Sequence, residues 1–223
     1  MSRSFRTALC AGLLVLSSAS AFAQDPVPPP LLDQPIGPFV VDARGTLARF
    51  KQDPLSAAAI GVQPADLPTR GLGLVVGAHL YPVRKRIFAL GVGGEILLRA
   101  HASRTIPPVV EDGPEGPAIA TNLTAISPQV SLNFGKRDGW SYLSGGIGWA
   151  NFTTELEDAP FEDPESLPRA INYGGGARWF AKKHLAFSFD LRFYKINAQP
   201  PAVLRPGFAS TSVTVFSAGV SVR

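Results

Sequence analysis

Three histidines, one cysteine and seventeen carboxylates are the side chains from which catalysis or metal binding would have to be built in this 223-residue chain. The arrangement nearest to a nucleophile, a base and an orienting acid is His101-Ala-Ser103, with Glu111 and Glu115 downstream. Residues two apart on a strand share a face, which brings such a Ser and His within reach of each other. The two acids, however, belong to Glu111-Asp-Gly-Pro-Glu-Gly-Pro117, whose Gly and Pro cannot form the neighbouring strand that would position them, so the motif lacks its structural context. His79 reads as a hydrogen-bonding residue of an interior and His184 as a rim residue. Neither has a Cys or a paired His to complete a metal site. No phosphate-cradling loop or nucleophile elbow occurs, and no catalytic, cofactor or metal residue is assigned.

A second set of reactive side chains has a clearer pattern. Asp42, Arg44, Glu95, Arg99, Arg178, Asp190 and Arg192 each fall on the polar side of a segment that alternates apolar and polar residues. Such charges either line a conduction path or pair with one another. In a narrow eight-stranded barrel the interior is just wide enough for side chains to fill it, so pairing that closes the lumen is the expectation.

The elements that carry these residues follow from composition. The chain is 45% hydrophobic and only 17% charged, with 22 Gly and 21 Pro, a poor mixture for helices. From Phe39 onward the period is two. Phe39, Val41, Ala43, Gly45 and Leu47 oppose Asp42, Arg44 and Thr46, and Leu72, Leu74, Val76, Ala78 and Leu80 oppose Gly73, Gly77, His79 and Tyr81. Phe88, Leu90, Val92, Ile96 and Leu98 oppose Gly91, Gly93, Glu95 and Arg99, and Ile126, Val130, Leu132 and Phe134 oppose Ser127, Gln129, Ser131 and Asn133. A fifth segment, Trp140 to Phe152, is rich in Gly and aromatics, and its facing is open. Ile171, Tyr173, Ala177 and Trp179 oppose Asn172, Gly174, Gly176 and Arg178 in the sixth. Leu185 to Tyr194 alternates without interruption, and Phe216, Ala218, Val220 and Val222 close the series against Ser217, Gly219 and Ser221.

Eight such segments predict an all-β fold, and their length suits strands that cross a bilayer at a tilt. Connections alternate between tight turns at 81–87, 135–140 and 180–184 and long stretches at 51–70, 101–121, 153–168 and 197–210. That asymmetry predicts an eight-stranded antiparallel up-and-down transmembrane β-barrel, with short periplasmic turns and long extracellular loops. Small residues with a few long charges suit a narrow lumen, and the bulky face then meets lipid. Basic residues gather on the short turns: Arg84, Lys85, Arg86, Lys136, Arg137, Lys182, Lys183 and His184. Anionic head groups would meet them at the periplasmic rim. The 153–168 loop is acidic, with Glu155, Glu157, Asp158, Glu162, Asp163 and Glu165, but it lacks the spacing of a calcium loop and reads as solvated.

The first residues set the compartment. Arg3 and Arg6, the apolar run Ala8 to Leu16 and Ala21-Phe22-Ala23 form a cleavable signal peptide over residues 1–23. Cys10 lies inside the apolar run and has Thr7 three places before it, so lipidation is not expected. Cleavage removes Arg3, Arg6 and Cys10, leaving a nearly neutral chain that no disulfide can staple. Without a basic patch interleaved with aromatics, nucleic acid is excluded as a partner. Residues 24–38 hold six Pro and form an extended leader, and residues 39–223 form the barrel domain.

The signal peptide, Ser144-Gly-Gly-Ile-Gly-Trp149, Leu185-Ala-Phe-Ser-Phe-Asp-Leu-Arg-Phe-Tyr194 and an ending within the last strand together resemble the small outer-membrane β-barrel proteins of the OmpA/OmpX type. The resemblance covers residues 39–223. It implies residence in the bacterial outer membrane as a monomer, contact with outer-membrane lipid and lipopolysaccharide, and recognition by the barrel-assembly machinery. Two departures stand out: Val222 is nearest to where members commonly end in an aromatic residue, and no peptidoglycan-binding domain follows. Some small barrels modify lipid A, which keeps the His101–Ser103 pair as a third reading behind a structural or surface-interaction role. The rival from another class is a soluble, exported lipocalin-like barrel with its bulky face inward around an apolar ligand, and a narrow pore is the remaining alternative.

Overall fold

A computed structural model describes residues 36–108, 113–160, 167–201 and 207–223. The signal peptide and most of the Pro-rich leader therefore lie outside the described residues, as do Glu111 and the Glu162, Asp163 and Glu165 carboxylates. Eight strands close into one barrel, each paired antiparallel with its neighbours in chain order and β1 sealing against β8. They are β1 (Phe39–Arg49), β2 (Arg70–Lys85), β3 (Phe88–Thr105), β4 (Ala118–Lys136), β5 (Gly139–Leu156), β6 (Arg169–Phe180), β7 (Leu185–Ile196) and β8 (Thr211–Val222). Closure leaves no strand edge where all eight strands overlap, and the upper ends of β3 and β5 outrun their β2 and β6 neighbours.

Side chains of the bulky face point outward. Val41, Leu80, Val92, Val130, Leu143, Ile147, Phe187, Phe189 and Phe216 are all exposed, several by more than half of their surface. Among the described residues, twenty-seven large hydrophobic side chains of the strands standing open to the surroundings cannot be reconciled with a water-exposed wall, which removes the lipocalin-like alternative. Of the fifth segment, whose facing the alternation left open, Trp140, Tyr142, Ser144, Ala150 and Phe152 point inward while Leu143, Ile147 and Trp149 point outward.

Two features depart from the sequence expectation. Strands β3, β4 and β5 run to 18 or 19 residues, so the expected loops 101–121 and 153–168 shrink to 106–117 and 157–168. The first long connection is also partly ordered. Pro54–Ala59 forms a short helix, α1, started by Asp53, whose carboxylate accepts from the Ser56 N–H at 3.0 Å. Ala57 and Leu67 pack there on Ile119, with Ile106 and Leu156 around them, so this connection rests on the prolonged β3–β5 wall.

Toward the long-loop end the apolar face of the wall changes sides, in strands that are not prolonged as well. Through most of the wall apolar residues face out and polar residues face in, but at the long-loop end the order reverses. In β1, Leu47 faces out, yet Ala48 and Phe50 face in while Arg49 faces out. In β7, Phe187 and Phe189 face out, yet Tyr194 and Ile196 are buried and Lys195 is exposed. In β8, Phe216 and Val220 face out, yet Val213 and Val215 face in. Below the reversal the wall has the polarity demanded by lipid. Above it the wall has the polarity of an ordinary water-exposed barrel.

Candidate functional site

The lumen is filled in three layers. At the short-turn end Ile36, Val40, Tyr81, Ala89, Trp140 and Tyr142 form a buried apolar base, with Trp140 stacked on Phe180 at 5.0 Å between ring centroids. At the long-loop end a larger apolar cluster includes Phe50, Val75, Leu97, Leu123, Phe152, Tyr194, Ile196 and Phe208. Between these two layers lies a network of charges.

Six of the seven charged residues expected in the lumen meet there. Arg44 reaches from β1 to Glu95 on β3, and its Nη1 lies 3.2 Å from Asp190 Oδ2 on β7. Arg192 Nε lies 2.7 Å from Glu95 Oε2 and 2.9 Å from Asp190 Oδ1. Arg178 grips Asp42 in a two-pronged pair, Nε to Oδ1 at 3.0 Å and Nη2 to Oδ2 at 2.6 Å, and Ser221 donates a further hydrogen bond to the same carboxylate. Three guanidinium groups face three carboxylates, so the layer is neutral overall. Each of the six side chains is almost wholly buried, so these charges hold one another rather than water.

Arg99 is the exception. Between Leu97 and Ala100 the β3–β4 register slips, so Leu98 and Arg99 both stand outside and Ala100 turns in. The bulge inserts one residue and thereby reverses the parity of the strand beyond it. Arg99 is exposed and donates to Asn122 Oδ1 at 3.0 and 3.1 Å instead of joining the lumen.

Residues that the sequence pattern did not single out complete the network. Tyr142 donates from its hydroxyl to Asp190 Oδ2 at 2.5 Å, accepts from Arg44 Nη1 at 3.1 Å, and carries Arg178 over its ring at 4.1 Å from the centroid. It thus joins the two halves of the network, and its inward direction was hidden by the Gly-rich segment around it. Gln129 donates to Glu95 at 3.0 Å, and Asn172 accepts from Arg192 at 3.1 Å. Two glycines make the room. A Cβ on Gly77 would stand 2.9 Å from the Glu95 side chain, and one on Gly176 would stand 2.7 Å from the Tyr142 hydroxyl.

The histidines behave differently from one another. His79 lies in the lumen as expected, but neither of its ring nitrogens has a hydrogen-bond partner among the described residues. His184 Nδ1 sits 2.9 Å from the carbonyl oxygen of Arg223, whose Nε donates to the Lys183 carbonyl at 2.9 Å, and the Arg223 guanidinium lies over the Phe180 ring at 3.7 Å. Arg223 thereby fastens β8 to the β6–β7 turn. His101 and Ser103 are engaged separately: His101 Nδ1 meets Asn122 Oδ1 at 2.9 Å, and Ser103 donates across to Glu157. Among the described residues Glu157, not Glu115, is the acid that Ser103 meets. Among the described residues no group of three or more His, Cys, Asp or Glu is placed to hold a metal ion.

No protein-family model matches the sequence, and no curated protein matches it. Solved structures do. The chain is similar to Neisserial surface protein A, with a TM-score of 0.52 at 13% identity over 83% of this chain and 97% of that one. It is similar to the outer membrane protein OprG of Pseudomonas aeruginosa, with a TM-score of 0.50 at 13% identity over 86% of this chain and 97% of that one. At such identity the likeness is one of fold.

Proposed function

Because this chain has the fold of the small outer-membrane β-barrels of the OmpA/OmpX type, we propose that it is a non-enzymatic outer-membrane protein with a closed lumen and a structural or surface-interaction role. The observation that carries the reading is the neutral six-residue ion network, buried between two apolar layers. A solute would have to break pairs that have no water to replace them, and that cost closes the path.

In this reading the short turns lie at the periplasmic rim, and the connections 50–69, 106–117, 157–168 and 197–210 face outward, where partners would meet them. The polarity reversal near Leu47, Leu98 and Phe216 then marks the outer boundary of the hydrocarbon region. Removal of residues 1–23 as a signal peptide, residues 24–38 as a leader, insertion by the barrel-assembly machinery and a monomeric state belong to the same proposal.

Two measurements test it. In planar bilayers the refolded protein is expected to give no steady open level, and stable channels of hundreds of picosiemens would replace the closed barrel by a pore. On cell fractionation the protein is expected in the outer membrane, with a mobility on SDS gels that changes when the sample is boiled. Recovery from the soluble periplasm would end the membrane reading. Lipid A mass profiles that change on expression would reinstate the enzyme.

A further inference from the structure

On the outer wall at the long-loop end, the end of β1 and the start of β2 bring together, beside β8, three cations that form no ion pair among the described residues. Arg49 and Arg70 are direct partners in the β1–β2 ladder, and both are exposed. Like charges directly opposite one another in a sheet repel, and a fold keeps such a pair at a cost. Lys51 adds a third positive charge, and the three line a polar recess of about 480 Å³ together with Thr69, Ser212 and Thr214. None of the three cationic groups makes an ion pair among the described residues. The two acids of the same connection line no part of the recess and are engaged locally: Asp53 caps α1, and Asp66 accepts from the Gln63 N–H at 3.2 Å. The carboxylates Glu155, Glu157 and Asp158 stand at the end of β5, diametrically across the barrel from β1.

The surface immediately below is apolar. Leu47 pairs with Leu72 on one side and Phe216 on the other, and these three are 48%, 72% and 61% exposed. They sit two residues from Arg49, Arg70 and Thr214 on the same outer face, a separation of about 7 Å along a strand. Anion-binding groups directly above an exposed apolar strip, at the level where the wall changes polarity, describe the shape of one ligand. It is a phosphorylated, multiply acylated lipid of the outer leaflet, with its phosphate against the cations and its chains down the strip.

We propose that the Arg49–Lys51–Arg70 recess is a binding site for the phosphate of lipid A in the outer leaflet. The proposal rests on the outer-membrane reading with the long connections facing outward. Each guanidinium replaces part of the hydration of the phosphate with charge-assisted hydrogen bonds, and the ligand relieves the Arg49–Arg70 repulsion. Ser212 and Thr214 supply hydroxyl donors from β8 to the same anion.

The test titrates the refolded barrel, held in a nonionic detergent, with diphosphorylated lipid A, dephosphorylated lipid A, inorganic phosphate and heparin. Arg49→Gln/Arg70→Gln is compared with wild type and with Lys182→Gln/Lys183→Gln on the opposite rim. Diphosphorylated lipid A is expected to bind wild type and the Lys182/Lys183 variant equally, and to lose about tenfold in affinity for each of Arg49 and Arg70 replaced. Removing the lipid A phosphates is expected to cause a similar loss in wild type. Equal binding by all three proteins, or equal losses in both variants, overturns the site. Heparin or free phosphate binding as tightly as lipid A and losing affinity in the same variant assigns the cations to a soluble anion and also overturns it. All three proteins should keep the heat-dependent gel shift. If wild type lacks that shift, the membrane reading fails and takes the site with it, an outcome distinct from intact barrels that bind alike.

Discussion

Arg178→Met is expected to destabilise the folded barrel by about 3–5 kcal/mol, while Asp42→Leu/Arg178→Met is expected to be neutral or more stable than wild type by up to about 4 kcal/mol. The single change leaves the Asp42 carboxylate in the lumen with the Ser221 hydroxyl as its hydrogen-bond partner but without its ion pair, and a buried charge stripped of its counter-ion is costly. The double change removes both desolvation costs and fills the space with apolar volume of similar size. Both variants lose the contact between the guanidinium and the Tyr142 ring, so their difference reports the unpaired Asp42 carboxylate together with its Ser221 hydrogen bond. Reversible urea unfolding in detergent or lipid, followed by tryptophan fluorescence, reads the effect. A single variant as stable as wild type would mean that water reaches Asp42 and that the lumen is open. A double variant that keeps the stability but begins to conduct would assign the ion pair to closure rather than to folding.

This contrast depends on facing, and facing was the most legible property of the chain. The unbroken alternation from Leu185 to Tyr194 placed Asp190 and Arg192 inside and Phe187 and Phe189 outside, and the structure agrees at every position. Arg99 was misplaced because a bulge is a local choice between two registers. The residues around it, Leu97-Leu-Arg-Ala100, suit either face equally, and only the pairing with Leu123 and Ala125 decides. Tyr142 was missed for a related reason: Gly145, Gly146 and Gly148 carry no side chain from which to read a face. The Arg49–Arg70 opposition lies beyond single-strand patterns altogether, since it is a property of register between strands some twenty residues apart. The apolar upper lumen was hidden by the assumption that one polarity holds along a whole strand. That assumption fails where the wall leaves the membrane, because outside the hydrocarbon region an inward apolar side chain and an outward charge are again the favourable pair.

The position of that boundary gives the second large effect. Phe189→Arg is expected to cost about 2–4 kcal/mol in a lipid bilayer, whereas Thr214→Arg is expected to cost about 0–1 kcal/mol for its place in the wall, plus up to about 1 kcal/mol for the like charge of Arg49 directly opposite it. Phe189 stands mid-strand on β7, is 53% exposed and is flanked by Ala177 and Ala218, so an arginine there has hydrocarbon around it and too little length to reach either interface. Thr214 faces outward on β8 beside Arg49, above the reversal, where an arginine meets head groups and water. A third variant separates lipid from simple crowding. Ile196→Arg points into the upper apolar lumen only one turn of the pleat from the exposed Lys195, so it is expected to be costly in bilayer and in detergent alike. Unfolding free energies measured in vesicles give the first two values directly. Equal costs at Phe189 and Thr214 would move the membrane boundary away from the polarity reversal, and with it the level at which the basic recess meets the outer leaflet. A cost at Phe189 that vanishes in detergent micelles, with the Ile196 cost unchanged, would tie the exposed phenyl groups to lipid rather than to packing within the protein.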